Sequence, residues 1–100
     1  MNIIIGNKND LRINELVRKI PNSIVTSNYC NLKNIKELCV VIIPHEIINN
    51  NGLISNTEIF IDELLLNLKV VKVVYGNINN SYMINRIRKD YHINVELMWF

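Results

Sequence analysis

The stretch Leu38-Cys39-Val40-Val41-Ile42-Ile43-Pro44 decides the fold of this chain. It is a short, uninterrupted apolar run that is rich in β-branched residues and is stopped by a proline. Such a run is typical of a strand that is buried on both faces, in the middle of a parallel sheet with helices above and below. We therefore expect this stretch to be the central strand of a small α/β domain.

The hydrophobic pattern on either side of this strand predicts four more strands and four helices. Further apolar or alternating runs predict strands at 2–6, 23–27, 70–75 and 93–100. Helical spacing of apolar residues predicts one helix after the cap Asp10 and a short helix from Leu32 to about Glu37. It also predicts a helix that opens at Ser55 and a last helix capped by Asn80 or Ser81. Because strands and helices alternate, we expect a mostly parallel sheet with right-handed crossovers.

Five strands in this rhythm resemble the flavodoxin-like arrangement, in which the strand order is 2-1-3-4-5. We therefore predict a three-layer α/β fold, and residues 1–100 form one flavodoxin-like or Rossmann-like domain. Flavodoxin-like domains usually end with a fifth helix, whereas this sequence reaches Phe100 in its last predicted strand. We expect the final helix to be lacking.

Composition places the chain among ordinary globular proteins. The residues are 49% hydrophobic and 20% charged, and the net charge is +2. This composition is too apolar for a disordered chain. No apolar stretch approaches the roughly 20 residues of a membrane span, and no signal peptide is apparent, so we expect a cytoplasmic protein. Abundant Asn and Ile with no Ala or Gln indicates AT-rich coding, as in a low-GC bacterium or its phages.

The predicted strand order also predicts where a ligand would bind. Ligands of such sheets lie beyond the carboxyl ends of the strands where the order reverses, here between the first and third strands. Lys8 lies near a helix N-terminus, where its charge and the free amides would suit a nucleotide or another phosphorylated metabolite. The alternative is a solvated lysine in a turn. The side chains expected at this crevice are Lys8, Asn9, Asn28, Tyr29, His45, Glu46 and Tyr75.

The sequence lacks the motifs that known proteins of this fold use for catalysis or cofactor binding. The sequence has neither a P-loop nor a G-x-G-x-x-G fingerprint. Where a response-regulator receiver has an acidic pair and an aspartate, this chain has Gly6-Asn7 and Pro44. His45 and Glu46 are adjacent and so point apart, and no second His follows at zinc-motif spacing. We expect no catalytic residues, no metal and no cofactor.

Basic residues on the predicted helices give no clear nucleic-acid signature. Lys33, Lys36, Arg86, Arg88 and Lys89 alternate with acidic residues and Asn, as on an ordinary solvated helix surface. The last three are expected on the wet side of the final helix. We therefore expect no nucleic-acid partner.

The lacking helix predicts a partner surface on the sheet. Right-handed crossovers place the first helix on one face and the other helices on the opposite face, which leaves one face of strands 4 and 5 uncovered. Asn94 and Glu96 would point to that face, with Lys72 as their cross-strand neighbour. A homodimer that packs sheet on sheet, or edge on edge through strand 5, is our main expectation. Another protein partner is one alternative; the other is that the first helix slides over to cover this face, or that the end of the chain frays. The predicted partner surface comprises Val70, Lys72, Val74, Glu96, Met98 and Phe100.

Overall fold

A computed structural model describes residues 1–6, 8–26, 32, 34–44, 55–76 and 81–98, without the side chains of 55–60. These ranges contain five strands and three α-helices. In chain order they are β1 (Asn2–Ile5), α1 (Leu11–Lys19), β2 (Ser23–Thr26), β3 (Leu38–Ile43), α2 (Ser55–Asn67), β4 (Lys69–Tyr75), α3 (Ser81–Asp90) and β5 (Asn94–Leu97).

The five strands form one sheet in the order β2-β1-β3-β4-β5, and every neighbouring pair is parallel. The predicted α/β fold and flavodoxin-like strand order are confirmed. β3 lies at the centre, where Val41 pairs with Ile3 of β1 on one side and with Val73 of β4 on the other. Cys39 and 41–43 of β3 are buried, as a strand covered on both faces requires.

Helix α1 packs on one face of the sheet, against Ile4 of β1 and Ile42 of β3. Asp10 caps the helix, because its side chain accepts a hydrogen bond from the Arg12 backbone N–H at 2.9 Å. The apolar stripe of α1 centres on Ile13, which is 1% exposed and packs with Ile4, Ile42 and Val74. We call the surface of the sheet on this side the α1 side.

The opposite face carries the larger part of the core, beneath α2 and α3. Ile61 and Leu64 of α2 and Ile84 and Ile87 of α3 are buried there against the sheet. Leu32 lies in the same cluster, so the chain between β2 and β3 crosses on the predicted face. The predicted helix from Leu32 to Glu37 is wrong within the described residues. In its place a single turn is closed by the Ile35 N–H, which donates to the Leu32 carbonyl at 3.1 Å.

An irregularity in β4 changes which side chains share a face. Cys39 pairs with Val70 but the next residue, Val40, pairs with Lys72, so Val71 is an extra residue in the ladder. This β-bulge reverses the alternation of β4 at that point. As a consequence Val70 packs in the α2–α3 core, whereas Lys72 lies on the α1 side. The prediction that both share one face is wrong.

None of the three helices in the described ranges combines the length and the apolar content of a membrane span.

Candidate functional site

The crevice predicted between β1 and β3 is described only in part. Lys8 and Asn9 are exposed in the turn between β1 and α1, and Pro44 is buried at the end of β3. Tyr75 is only 1% exposed and belongs to the α2–α3 core, so its side chain does not line a surface crevice. The predicted crevice residues Asn28, Tyr29, His45 and Glu46 lie outside the described residues.

The N-terminus of α1, where a phosphate would bind, is already capped by the Asp10 side chain. Asp10 accepts the Arg12 backbone N–H, and its carboxylate also pairs with the Arg12 guanidinium at 3.1 Å. A capping carboxylate satisfies part of the helix terminus and places negative charge there. The Asp10 side chain already accepts from one of the terminal amides that a phosphate would use, so this turn is a weaker phosphate site than the sequence predicts.

Gly6 allows α1 to approach the end of β1 closely. A Cβ atom at this position would lie 2.6 Å from Cδ1 and 2.9 Å from Cγ1 of Ile13. Both distances are shorter than carbon atoms tolerate. Because Gly6 has no side chain, α1 can pack this closely against β1 at the base of the predicted crevice.

The β4–β5 face, as we name it, is the α1-side surface formed by Lys72, Asn94, Glu96 and Met98. The register places Asn94 beside Lys72 and Glu96 beside Val74. Lys72 Nζ donates to Glu96 Oε2 at 3.1 Å, which confirms the predicted cross-strand contact. The two side chains are 36% and 55% exposed, so solvent screens this ion pair.

The remaining members of the predicted partner surface do not all reach it. Val74 is 7% exposed and packs in the cluster that contains Ile13 of α1, so the expectation that it is uncovered is wrong. Val70 lies on the other side of the sheet because of the bulge. Met98 is 42% exposed beyond the end of β5. Phe100 lies outside the described residues.

A polar cluster between α2 and α3 has no counterpart in the sequence-based prediction. Arg86 Nη2 donates to Asp62 Oδ2 at 2.6 Å, and the Tyr91 hydroxyl donates to Asp62 Oδ1 at 2.5 Å. Arg86 also donates to the Tyr82 hydroxyl at 3.3 Å. The prediction that Arg86 lies on the wet side of its helix is wrong, since its side chain is only 24% exposed.

The contacts of this cluster change the acidity of Tyr91. The hydrogen bond to the Asp62 carboxylate raises the pKa of the Tyr91 phenol above its ordinary value of 10.0, and burial adds to the effect. The carboxylate favours the neutral phenol because only that form can donate to it. Asp62, one residue after the buried Ile61, sits at the border of the apolar stripe of α2. That border position is the only sequence signal for the cluster.

A shallow depression adjoins this cluster on α3. Its volume is about 240 Å³, and it is lined by Tyr82, Asn85, Arg86, Lys89 and Asp90. Two basic residues there stand beside Asp90 and the Asp62 that Arg86 binds, so the charges nearly cancel. A depression of this kind selects neither an anion nor a cation.

Two further observations concern the thiol and the side chains that could bind a metal. Cys39 is a free, buried thiol whose Sγ contacts the Glu37 carbonyl at 3.1 Å, and burial raises its pKa. A raised pKa keeps the thiol protonated and poorly nucleophilic. Within the residues that the structure describes, His, Cys, Asp and Glu side chains form no group of three that could hold a metal ion.

Comparisons with protein-family models, with curated proteins and with solved structures find no match to this chain. Function is therefore inferred from the chain's own residues.

Proposed function

We propose that the chain is a small, non-enzymatic cytoplasmic interaction module that forms a two-fold homodimer through its β4–β5 face. The observation that carries the proposal is the Lys72–Glu96 pair between β4 and β5, together with the exposed Met98 just after β5. The side chains of Lys72 and Glu96 are 36% and 55% exposed, and Met98 is 42% exposed. Another protein that carries a matching surface is the alternative partner.

Charge complementarity favours a second copy as the partner. A two-fold axis through the β4–β5 face brings Lys72 of one copy opposite Glu96 of the other, and the reverse contact follows by symmetry. Each copy therefore supplies both signs, and the two contacts between copies add to the Lys72–Glu96 pair that each copy already makes. Met98 and the aliphatic stem of Lys72 add apolar area at the same interface.

The composition of this face predicts weak association. Interfaces that form stable complexes bury about 800 Å² on each partner and usually contain large apolar or aromatic side chains. The β4–β5 face offers one Met between charged and amide groups. We therefore expect a dimer that depends on concentration and on salt, since screening weakens exposed ion pairs.

Charge reversal on the two strands tests the homodimer directly. Lys72→Glu makes the face acidic in both copies and Glu96→Lys makes it basic, so each variant alone should dimerise less than wild type. Exposed ion pairs contribute about 0.2–1 kcal/mol each, and losing two of them should raise Kd by about 2- to 30-fold. Reversal to a like charge adds repulsion in the same direction. Mixing the two variants restores opposite charges and should restore the dimer.

Sedimentation velocity over a range of concentrations measures these differences. Glu15→Lys is the matched control, because Glu15 is an exposed residue of α1 and the charge change is identical. The homodimer is refuted if wild type stays monomeric at every concentration, or if Glu15→Lys weakens the dimer as much as Glu96→Lys does. Failure of the mixed variants to associate would also contradict the proposed two-fold contact.

A second candidate function is the binding of a small phosphorylated ligand in the crevice between β1 and β3. It is favoured by the strand order, which reverses at these two strands, and by exposed Lys8 and Asn9 beside them. A ligand at 100 times its Kd would stabilise the fold by about 2.7 kcal/mol. A thermal-shift screen with nucleotides should therefore detect binding, and Lys8→Ala should reduce the shift. The absence of any shift would remove this candidate.

A further inference from the structure

The outer edge of β5 is a second place where two copies of the chain can meet. The Met98 N–H donates to the Tyr75 carbonyl of β4 at 3.1 Å. Backbone groups alternate in direction along a strand, so those of Glu96 also point to β4. The N–H and carbonyl groups of Val95 and Leu97 therefore point away from the sheet. In the strand order β5 is terminal, and this row of groups lies at the sheet edge.

One side chain of α3 occupies this edge. Arg88 Nη2 donates to the Val95 carbonyl at 3.0 Å, across seven residues of sequence. The guanidinium carries a full positive charge and binds the carbonyl that a neighbouring strand would use. Charged side chains at an edge are a known means of preventing strand addition.

We propose that Arg88 blocks the β5 edge and thereby prevents β5 from pairing with the β5 strand of a second copy. The contact acts as an autoinhibitory device that is built into the monomer. It is independent of the β4–β5 face, because Arg88 extends from α3 on the opposite side of the sheet. Edge-on-edge dimerisation, which the sequence leaves open beside face-on-face packing, requires Arg88 to leave the Val95 carbonyl.

The sequence of β5 favours the β5 strand of a second copy as the partner that pairs with this edge once Arg88 has left it. In an antiparallel pair centred on Val95, the two Val95 residues exchange N–H···O bonds with each other. The same register places Asn94 of one copy beside Glu96 of the other, with no like charges opposed. It also places Ile93 beside Leu97, which is 46% exposed in the monomer and would become covered.

The test removes the Arg88 contact in a chain whose β4–β5 face is already disabled. Lys72→Gln supplies that background, because it removes the cation that the β4–β5 face needs and places no like charge beside Glu96 of β5. Arg88→Met is then added, since Met preserves side-chain length and helix propensity but has no donor. Lys89→Met is the matched control, an exposed position next to Arg88 that loses the same charge. Sedimentation velocity gives the mass, and hydrogen exchange by NMR reports on the Val95 and Leu97 amides.

A third substitution separates strand pairing from non-specific association. Leu97→Pro removes an N–H that points outward, so it is compatible with β5 as an edge strand but not with a paired one. We expect Arg88→Met to double the apparent mass and to slow exchange at Val95 and Leu97 at least tenfold. Adding Leu97→Pro should return the mass to that of the background, and Lys89→Met should not change it. The proposal is overturned if Arg88→Met does not associate, or if its association persists with Leu97→Pro.

Discussion

Replacing Gly6 with Ala perturbs the contact between α1 and the sheet at one defined point. The new Cβ would lie 2.6 Å from Cδ1 of Ile13, and rotation about χ2 can move that terminal methyl away. The same rotation leaves Cγ1 in place at 2.9 Å, because χ1 sets its position. A β-branched side chain in a helix has one strongly preferred χ1 rotamer. Relieving the contact with Cγ1 therefore requires either a shift of α1 or a less favourable χ1 rotamer of Ile13.

The expected loss of stability follows from two opposing contributions. An extra methyl group in a well-packed core costs about 1–3 kcal/mol. Replacing Gly with Ala also restricts the unfolded chain, which contributes about 0.4–1 kcal/mol in the stabilising direction. We therefore expect Gly6→Ala to lower the free energy of unfolding by about 1–2 kcal/mol. For a domain of this size that corresponds to a decrease in Tm of about 4–16 °C.

Urea denaturation with a double-mutant cycle is the appropriate assay. Ile13→Ala removes both Cδ1 and Cγ1, the two atoms within 3.0 Å of the new Cβ, so the cost of Gly6→Ala should fall by at least 0.5 kcal/mol in that background. Lys8→Ala, two residues away and exposed, is the control and should change stability little. The packing argument fails if Gly6→Ala is as stable as wild type. It also fails if its cost is equal in both backgrounds.

Two further predictions concern α3 and the turn that follows it. Tyr91→Phe should lower stability at pH 7 by about 1 kcal/mol, through loss of the 2.5 Å hydrogen bond to Asp62. Since the folded-state pKa of Tyr91 lies above its unfolded value of 10.0, this contribution is complete below pH 10 and is lost at higher pH. Urea midpoints of the two proteins should therefore converge in strong alkali, and a constant difference would contradict the assignment. His92 has a φ of 55°, a left-handed conformation that costs a non-Gly residue about 1–2 kcal/mol. His92→Gly should raise Tm, whereas a lower Tm would show that the His92 side chain outweighs the backbone strain.

The strand order was predictable because buried parallel strands give unambiguous patterns. The runs at β1 and β3 are apolar in every position that the sheet covers, and their alternation with helical segments leaves few topologies. The cap Asp10 and the inward position of Ile13 were also predictable, since both depend on local spacing. The side of the sheet on which each β4 side chain lies was not predictable. A bulge adds one residue without a compositional signal, and strict alternation then assigns Val70 to the wrong side of the sheet.

The candidate surfaces were predictable to a smaller extent. The Lys72–Glu96 contact follows from register once β4 and β5 are neighbours, and the structure confirms it. Burial of Val74 depends on how far α1 extends across the sheet, which no local pattern encodes. Pairing of Asp62 with Arg86 joins residues 24 positions apart on two helices. Each looks like a solvated charge when its own helix is considered alone.

The extra residue in β4 has a consequence for the length of the chain. Val71 is 49% exposed, and the pairs Cys39–Val70 and Val40–Lys72 on either side of it are consecutive in β3. A protein that lacked Val71 would join these two pairs into a regular ladder, and the residues after it would keep their partners. Most one-residue deletions in a strand transfer core side chains to solvent. Here the sheet has a position where the chain can lose a residue and keep every side chain on its present face.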